Sequence, residues 1–296
     1  MSAHKRAAFA AILSATLLWL GLSPRVAYFI YTSILMPRCK SDSAVSDSKD
    51  MLVTPITFES GAVFRLSGHL CSGSDSQNLI VYFGGRRSNH EKNMIRANAL
   101  ARTGSSVFIF EYRGFGDTNG RATLATLLED GLAAYDAVIA LGYSEDRIIL
   151  YGESLGAAVA AYVSSKRSSI GVILQSGFSS LEVQIKDMIP PLRIYPGWMF
   201  PKLHLSTADS IRESHPPLLI LHGDCDNVVN KRHAEQLFMD GGPGTKLVVL
   251  PGATHKGLQS RDDWLSEVRE FISSLGTSAF ESVRGQTEDS ELKIQG

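Results

Sequence analysis

Ser154 stands between two glycines in Gly152-Glu153-Ser154-Leu155-Gly156, the setting in this chain best suited to a nucleophilic hydroxyl. An apolar run at 147–151 leads into it, and the small-residue stretch AAVAAYV leads out. The pattern therefore reads strand, sharp turn, helix. Glycines two residues to either side let strand and helix approach without Cβ clashes while the turn lifts the hydroxyl clear of the sheet. The helix that follows aims its first amides at the place where negative charge develops during acyl transfer. Ser179 and Ser180 lack this setting.

A serine needs a base, and the base needs an orienting acid. Of eight histidines, His255 is singled out by position: it lies in the small-residue loop Pro251-Gly252-Ala253-Thr254, directly after the last apolar run at 246–250. His222 precedes a glycine at the end of the run 217–222 and suits a supporting role. Two carboxylates follow it, Asp224 and Asp226, and either residue type beside glycine also forms turns. A neutral His255 would take the Ser154 proton as the hydroxyl attacks a carbonyl, while a carboxylate holds the imidazole tautomer. The run 79–83 ends in Gly84-Gly85-Arg86-Arg87. Two backbone amides, those of Leu155 and Gly85, could face the oxyanion, each worth about 3 kcal/mol. Arg86 and Arg87 are read as solvated loop arginines, with recognition of an anionic substrate group as the alternative.

The elements that must position these groups are legible as alternating runs. Strands are expected at 63–71, 78–83, 106–112, 147–151, 171–175, 217–222 and 246–250, and helices at 91–102, 124–141, 154–165, 231–239 and 262–275. Strand–helix alternation implies right-handed crossovers, a mainly parallel sheet with helices on both faces, and a site beyond the carboxyl ends of the strands.

Together, GESLG, HGDCDNVV, LPGATH and the run Glu111-Tyr112-Arg113-Gly114-Phe115-Gly116 resemble the α/β-hydrolase superfamily over about residues 52–275. They are most similar to its lysophospholipase-like and acyl-protein-thioesterase-like serine hydrolases, whose members often carry an N-terminal membrane anchor. The resemblance implies the α/β-hydrolase fold, a cap at 178–216 between strands 6 and 7, and a triad of Ser154, Asp226 and His255 without metal or organic cofactor. Asp226 takes the acid position of H-G-x-x-D-x-x-V, leaving Asp224 as a turn former. Glu111 replaces the usual aspartate of D-Y-R-G-x-G and is expected to shape its loop. Phe83-Gly84 replaces the His-Gly common before the oxyanion turn, so the backbone donors remain while the usual bracing side chain is missing. The implied activity is cleavage of a carboxylic ester or thioester, with a lipid or acylated molecule suggested by the apolar cap. An aminopeptidase and a non-catalytic binding module are the alternatives.

Composition narrows the partners. Net charge is -1 with no concentrated basic face, which argues against nucleic acid. Cys39, Cys71 and Cys225 are too few and too scattered for a disulfide framework or a zinc site. Residues 1–39 are expected to form a hydrophobic anchor, with membrane contact through 7–36, followed by a polar linker at 40–51, the hydrolase domain at 52–276 and a loose tail at 277–296. The uncharged stretch 7–23 would span roughly 25 Å as a helix, against a hydrocarbon core of ~30 Å. A single-pass membrane protein is the expectation, with a secreted or periplasmic product after signal cleavage, or a buried core helix, as the alternatives.

Overall fold

Five consecutive buried residues, Leu79-Ile80-Val81-Tyr82-Phe83, form strand β3 in the computed structural model, and their side chains divide between two cores. Leu79, Val81 and Phe83 enter one core, and Ile80 and Tyr82 the other, as the two-residue period of a strand requires. β4 (Ser106–Phe110) and β5 (Ile148–Glu153) repeat the division, so the middle of the sheet is covered on both faces. The structure describes residues 3–21, 23–36, 51–61, 64–72, 78–86, 88–116, 118–201 and 205–275. The expected tail at 277–296 and the expected linker at 40–51, apart from Met51, lie outside these residues.

The remaining strands are β1 (Leu52–Ser60), β2 (Phe64–Ser72), β6 (Gly171–Gln175), β7 (Leu218–Gly223) and β8 (Thr245–Leu250). The eight strands run in the order β1-β2-β4-β3-β5-β6-β7-β8. β1 pairs antiparallel with β2 and β2 with β4, and every later pairing is parallel. This is the α/β-hydrolase fold expected from the sequence. β1 is not expected from the pattern. Its position explains why: an edge strand tolerates Pro55, and most of its side chains are exposed or half-buried.

Helix α3 (His90–Ala101) and a final helix over 262–275, here α9, cover one face through Met94, Leu100, Trp264 and Val268. The other face is covered by α4 (Leu124–Ala140), α5 (Leu155–Ser164), α7 (Thr207–Glu213) and α8 (Arg232–Gly241). The stretch between β6 and β7 holds α6 (Leu181–Met188), short 3₁₀ turns at Pro190–Ile194 and Gly197–Met199, and α7. Leu181, Ile185, Leu192 and Phe200 are buried there, whereas Met188, Ile194 and Trp198 face solvent. The Glu111 run shapes a loop through its polar groups. The Glu111 carboxylate accepts the His90 amide at 2.7 Å, and the buried Asp130 carboxylate accepts the Arg113 amide at 2.9 Å and its Nε at 2.8 Å.

The membrane anchor is not borne out. Among the described residues no helix is long and apolar enough to cross a membrane. The stretch 7–36 is split into α1 (Ala3–Gly21) and α2 (Pro24–Leu35). α1 includes His4, Lys5 and Arg6, which lower its apolar character. The Ser23 hydroxyl accepts the Val26 amide, capping a new helix whose first residue is Pro24. α2 has only twelve residues, and Ala27 and Leu35 are buried in the same core as α5 and the cap. The second apolar run thus completes a protein surface.

Candidate active site

β5 ends at Glu153 and α5 begins at Leu155, leaving Ser154 alone on the turn between them, with φ 56° and ψ -113°. A positive φ in a non-glycine residue is strained and persists only where neighbours enforce it. Here the Ser154 amide donates to the Gln175 carbonyl at 2.8 Å, and the two flanking glycines permit contact no other residue would. A Cβ on Gly152 would lie 2.3 Å from the Gly156 carbonyl oxygen, and one on Gly156 would lie 2.0 Å from that of Phe83. The elbow is therefore locked against β3.

Beneath it lies a buried polar cluster that no sequence motif announces. Trp264 Nε1 of α9 donates to Gln175 Oε1 at 2.9 Å, and the Tyr151 hydroxyl donates to the same oxygen. Glu153 is equally unexpected. Its carboxylate accepts the Tyr82 hydroxyl at 2.7 Å and Arg96 Nε at 2.8 Å, tying the elbow to β3 and α3. The glutamate was visible in GESLG, but its partners lie 71 and 57 residues away.

The loops after β7 and β8 bring the other two groups in. His255 Nδ1 lies 2.7 Å from Asp226 Oδ2, and His255 Nε2 lies 3.1 Å from Ser154 Oγ. The Asp226 side chain is fully buried, and that of His255 is 14% exposed, leaving the imidazole open to solvent on one side. Burial alone would raise the Asp226 pKa, but the hydrogen bond and charge of His255 and the amides of Val229 and Val228 outweigh it, and the carboxyl sits below its ordinary value. Its second oxygen accepts those two amides at 2.8 Å each, so the carboxylate cannot turn away. Asp224 instead accepts the Gly252 amide at 2.6 Å, joining the two loops. His222 is buried with Nε2 2.9 Å from the Val229 carbonyl oxygen, to which it must donate. Burial and the nearby His255 push its pKa down, against the pull of that carbonyl and of Asp226.

The remaining expected groups fall around the serine. Leu155 opens α5, so its amide has no intrahelical partner. Gly85 lies against the elbow, its Cβ position 3.3 Å from Ser154 Cβ. Arg86 is exposed and donates to the Ile34 carbonyl of α2 at 3.4 Å, while Arg87 lies outside the described residues. Ser179 is directed elsewhere, its Oγ 2.9 Å from His233 Nδ1. A cleft of about 870 Å³ between the cap and α8 is lined by Ser179, Trp198, Phe200 and His233, and none of Ser154, Asp226 and His255 lines it.

Known proteins are similar to this chain in sequence or in fold. The family model Hydrolase_4 (serine aminopeptidase, S33) matches residues 74–215, which include Ser154 and stop short of Asp226 and His255. The uncharacterized protein Rv2307c of Mycobacterium tuberculosis is 29% identical over 256 residues, covering 82% of this chain and 85% of that one. Alpha/beta hydrolase domain-containing protein 17C of Homo sapiens is 27% identical over 175 residues, 58% of this chain and 51% of that one. The solved structure of the Pyrococcus furiosus esterase Pf2001 superposes with a TM-score of 0.64 at 20% identity, covering 80% of this chain and 98% of that one. The chain has the α/β-hydrolase fold, and its residues 74–215 are similar to the Hydrolase_4 family.

Within this fold, His233 gives the region next to the site a pH response. Burial, and secondarily the Arg232 charge, push its pKa down to about 4, and its Nδ1 accepts the Ser179 amide at 3.1 Å. The folded state thus holds the neutral ring, whereas the unfolded chain protonates near the ordinary value of 6.5. The stabilisation is complete above about pH 7 and falls as pH drops from 6.5 toward 4, by about 3 kcal/mol in all. Denaturant midpoints at pH 7.5 and 4.5 are expected to differ more for the wild type than for His233→Gln, which cannot titrate. Equal differences would contradict this assignment.

Proposed function

We propose that this α/β hydrolase cleaves a carboxylic ester or thioester through an acyl-enzyme on Ser154, with His255 as general base, Asp226 as its orienting acid, and the amides of Gly85 and Leu155 as the oxyanion donors. One observation carries the reading: an unbroken hydrogen-bonded line from a buried carboxylate through an imidazole to a hydroxyl held on a strained turn. His255 Nε2 takes the proton as Ser154 Oγ bonds to the substrate carbonyl carbon. The tetrahedral intermediate collapses when that proton passes to the departing alcohol or thiol. Water, deprotonated by the same nitrogen, then releases the acid and restores the serine.

The apolar cap, with Ile194 and Trp198 more than three-quarters exposed, favours a lipid or acylated substrate over a strongly polar one. The name of the matching family makes an aminoacyl amide the second candidate. A fluorophosphonate probe tests the chemistry: the wild-type chain is expected to take up one equivalent, and Ser154→Ala none. A panel of p-nitrophenyl esters, acyl-thioesters and aminoacyl-p-nitroanilides then separates the leaving groups, with esters or thioesters of longer acyl chains expected to lead. A folded wild-type chain that neither labels nor cleaves any of these would leave a binding module in place of an enzyme.

A further inference from the structure

The loop that carries Asp226 has little packing of its own. Asp224, Cys225, Asn227, Val228, Asn230 and Lys231 are exposed, and between Asp226 and α8 only Val229 enters the core. Hydrogen bonds must therefore fix the direction of its peptide groups. Two of these bonds come from buried side chains on neighbouring elements. His222 of β7 donates to the Val229 carbonyl at 2.9 Å, and Nε2 of Gln184 on α6 donates to the Val228 carbonyl at 2.9 Å. Gln184 is 1% exposed and lies in the cap, 44 residues before its partner.

A trans peptide unit is planar, with its carbonyl and its N–H pointing in opposite directions. The Val228 carbonyl and the Val229 N–H belong to one such unit. Fixing the carbonyl at Gln184 thus fixes the N–H, which donates to Asp226 Oδ1 at 2.8 Å. The Val228 N–H donates to the same oxygen at 2.8 Å. The other carboxylate oxygen, Oδ2, is then left for His255 Nδ1 at 2.7 Å, and His255 Nε2 lies 3.1 Å from Ser154 Oγ. A path of hydrogen bonds through one rigid peptide plane therefore joins a cap side chain to the nucleophile. α6 is itself moored beyond this loop, where Asp187 Oδ2 accepts Arg232 Nε of α8 at 3.0 Å.

We propose that Gln184 is a positioning residue of the hydrolase, holding the Val228–Val229 peptide so that Asp226 presents Oδ2 to His255. This rests on the serine-hydrolase reading and makes the cap part of what orients the base, in addition to its cover of the substrate. A neutral carboxamide suits the task, since it donates to the carbonyl without bringing a charge that competes for the carboxylate. Its Oε1 has no hydrogen-bond partner, so the donor is the part in use. Without that donor the peptide is free to rotate, the Val229 N–H swings away from Oδ1, and the carboxylate can turn from the imidazole.

The test uses the full chain and a p-nitrophenyl ester. Gln184→Met, similar in length but without a donor, is expected to lower kcat by about tenfold to a hundredfold with KM nearly unchanged, the scale that a small misplacement of a catalytic group costs. Labelling by a small fluorophosphonate is expected to slow by the same factor, because it needs the same base. A double-mutant cycle separates positioning from general support of the fold. Added to Asp226→Asn, Gln184→Met is expected to cost no more than about twofold, since the group it acts through is already lost. Should the methionine variant fail to fold, Gln184→Asn, which keeps the amide but withdraws it by one methylene, carries the comparison. A folded variant with wild-type kcat, a raised KM with kcat intact, or a loss that adds in full to that of Asp226→Asn would overturn the role of Gln184 alone. A wild-type chain that takes up no probe and cleaves no ester would overturn the serine-hydrolase reading and this inference with it.

Discussion

Ser154→Ala is expected to lower kcat for a p-nitrophenyl ester by 10⁵-fold or more, on the order of the loss seen when a triad nucleophile is removed, with KM nearly unchanged. The reason lies in the division of labour at the elbow. On the proposed reading, substrate is held by the cap and by the amides of Gly85 and Leu155, none of which contains the hydroxyl. Only the bond-forming step needs Oγ, which lies 3.1 Å from His255 Nε2. Alanine is smaller and leaves the backbone interlock of Gly152 and Gly156 untouched, so the fold should persist. Residual hydrolysis above the solvent rate should remain from the backbone donors. Steady-state kinetics and a thermal melt on the same preparation decide the matter. A kcat within tenfold of wild type would assign the nucleophile to another residue.

Asp226→Asn should reduce kcat by about 10⁴-fold with little change in structure. Asp226 Oδ1 accepts two backbone amides, from Val228 and Val229, at 2.8 Å each. An asparagine at this position would satisfy them with its carbonyl oxygen, which turns its NH₂ group toward His255 Nδ1. That nitrogen would then have to accept instead of donate, and the ring proton would move to Nε2, pointing at the hydroxyl it should deprotonate. The loss should therefore exceed that of a merely weakened hydrogen bond. Proton NMR of the imidazole would report the exchanged tautomer. An Asp226→Asn variant that retained a tenth of wild-type kcat would mean that Asp224 or another group orients the base.

Much of the candidate site is legible in the sequence because the proposed chemistry requires local patterns. Ser154 was marked by glycines whose absent side chains are filled by backbone from β3 and α5, and His255 by its place after the last strand. The parallel strands were legible because burial on both faces leaves continuous runs such as LIVYF. β1 was not, since an edge strand with Pro55 and mostly exposed or half-buried side chains carries no such signature. The anchor expected over 7–36 was wrong for a related reason. Apolar content alone does not distinguish a helix meant for lipid from one meant for a protein groove, and the Ser23-Pro24 cap that divides the two helices is a local signal easily outweighed by hydropathy. The roles of Glu153, Gln175, Trp264 and Arg86 depend on partners far away in sequence and could be read only from the fold.

The interlock between Gly156 and the end of β3 has an evolutionary reach. Because the turn bearing the hydroxyl rests directly on the main chain of the strand that leads to Gly85, the two shift together or not at all. The segment over 178–216, by contrast, is inserted between two strands and can be rebuilt without moving that pair. Diversification of such a scaffold should therefore be lopsided: most of the insertion can be edited freely, while the Ser154 turn and the loop after β3 are inherited as one piece.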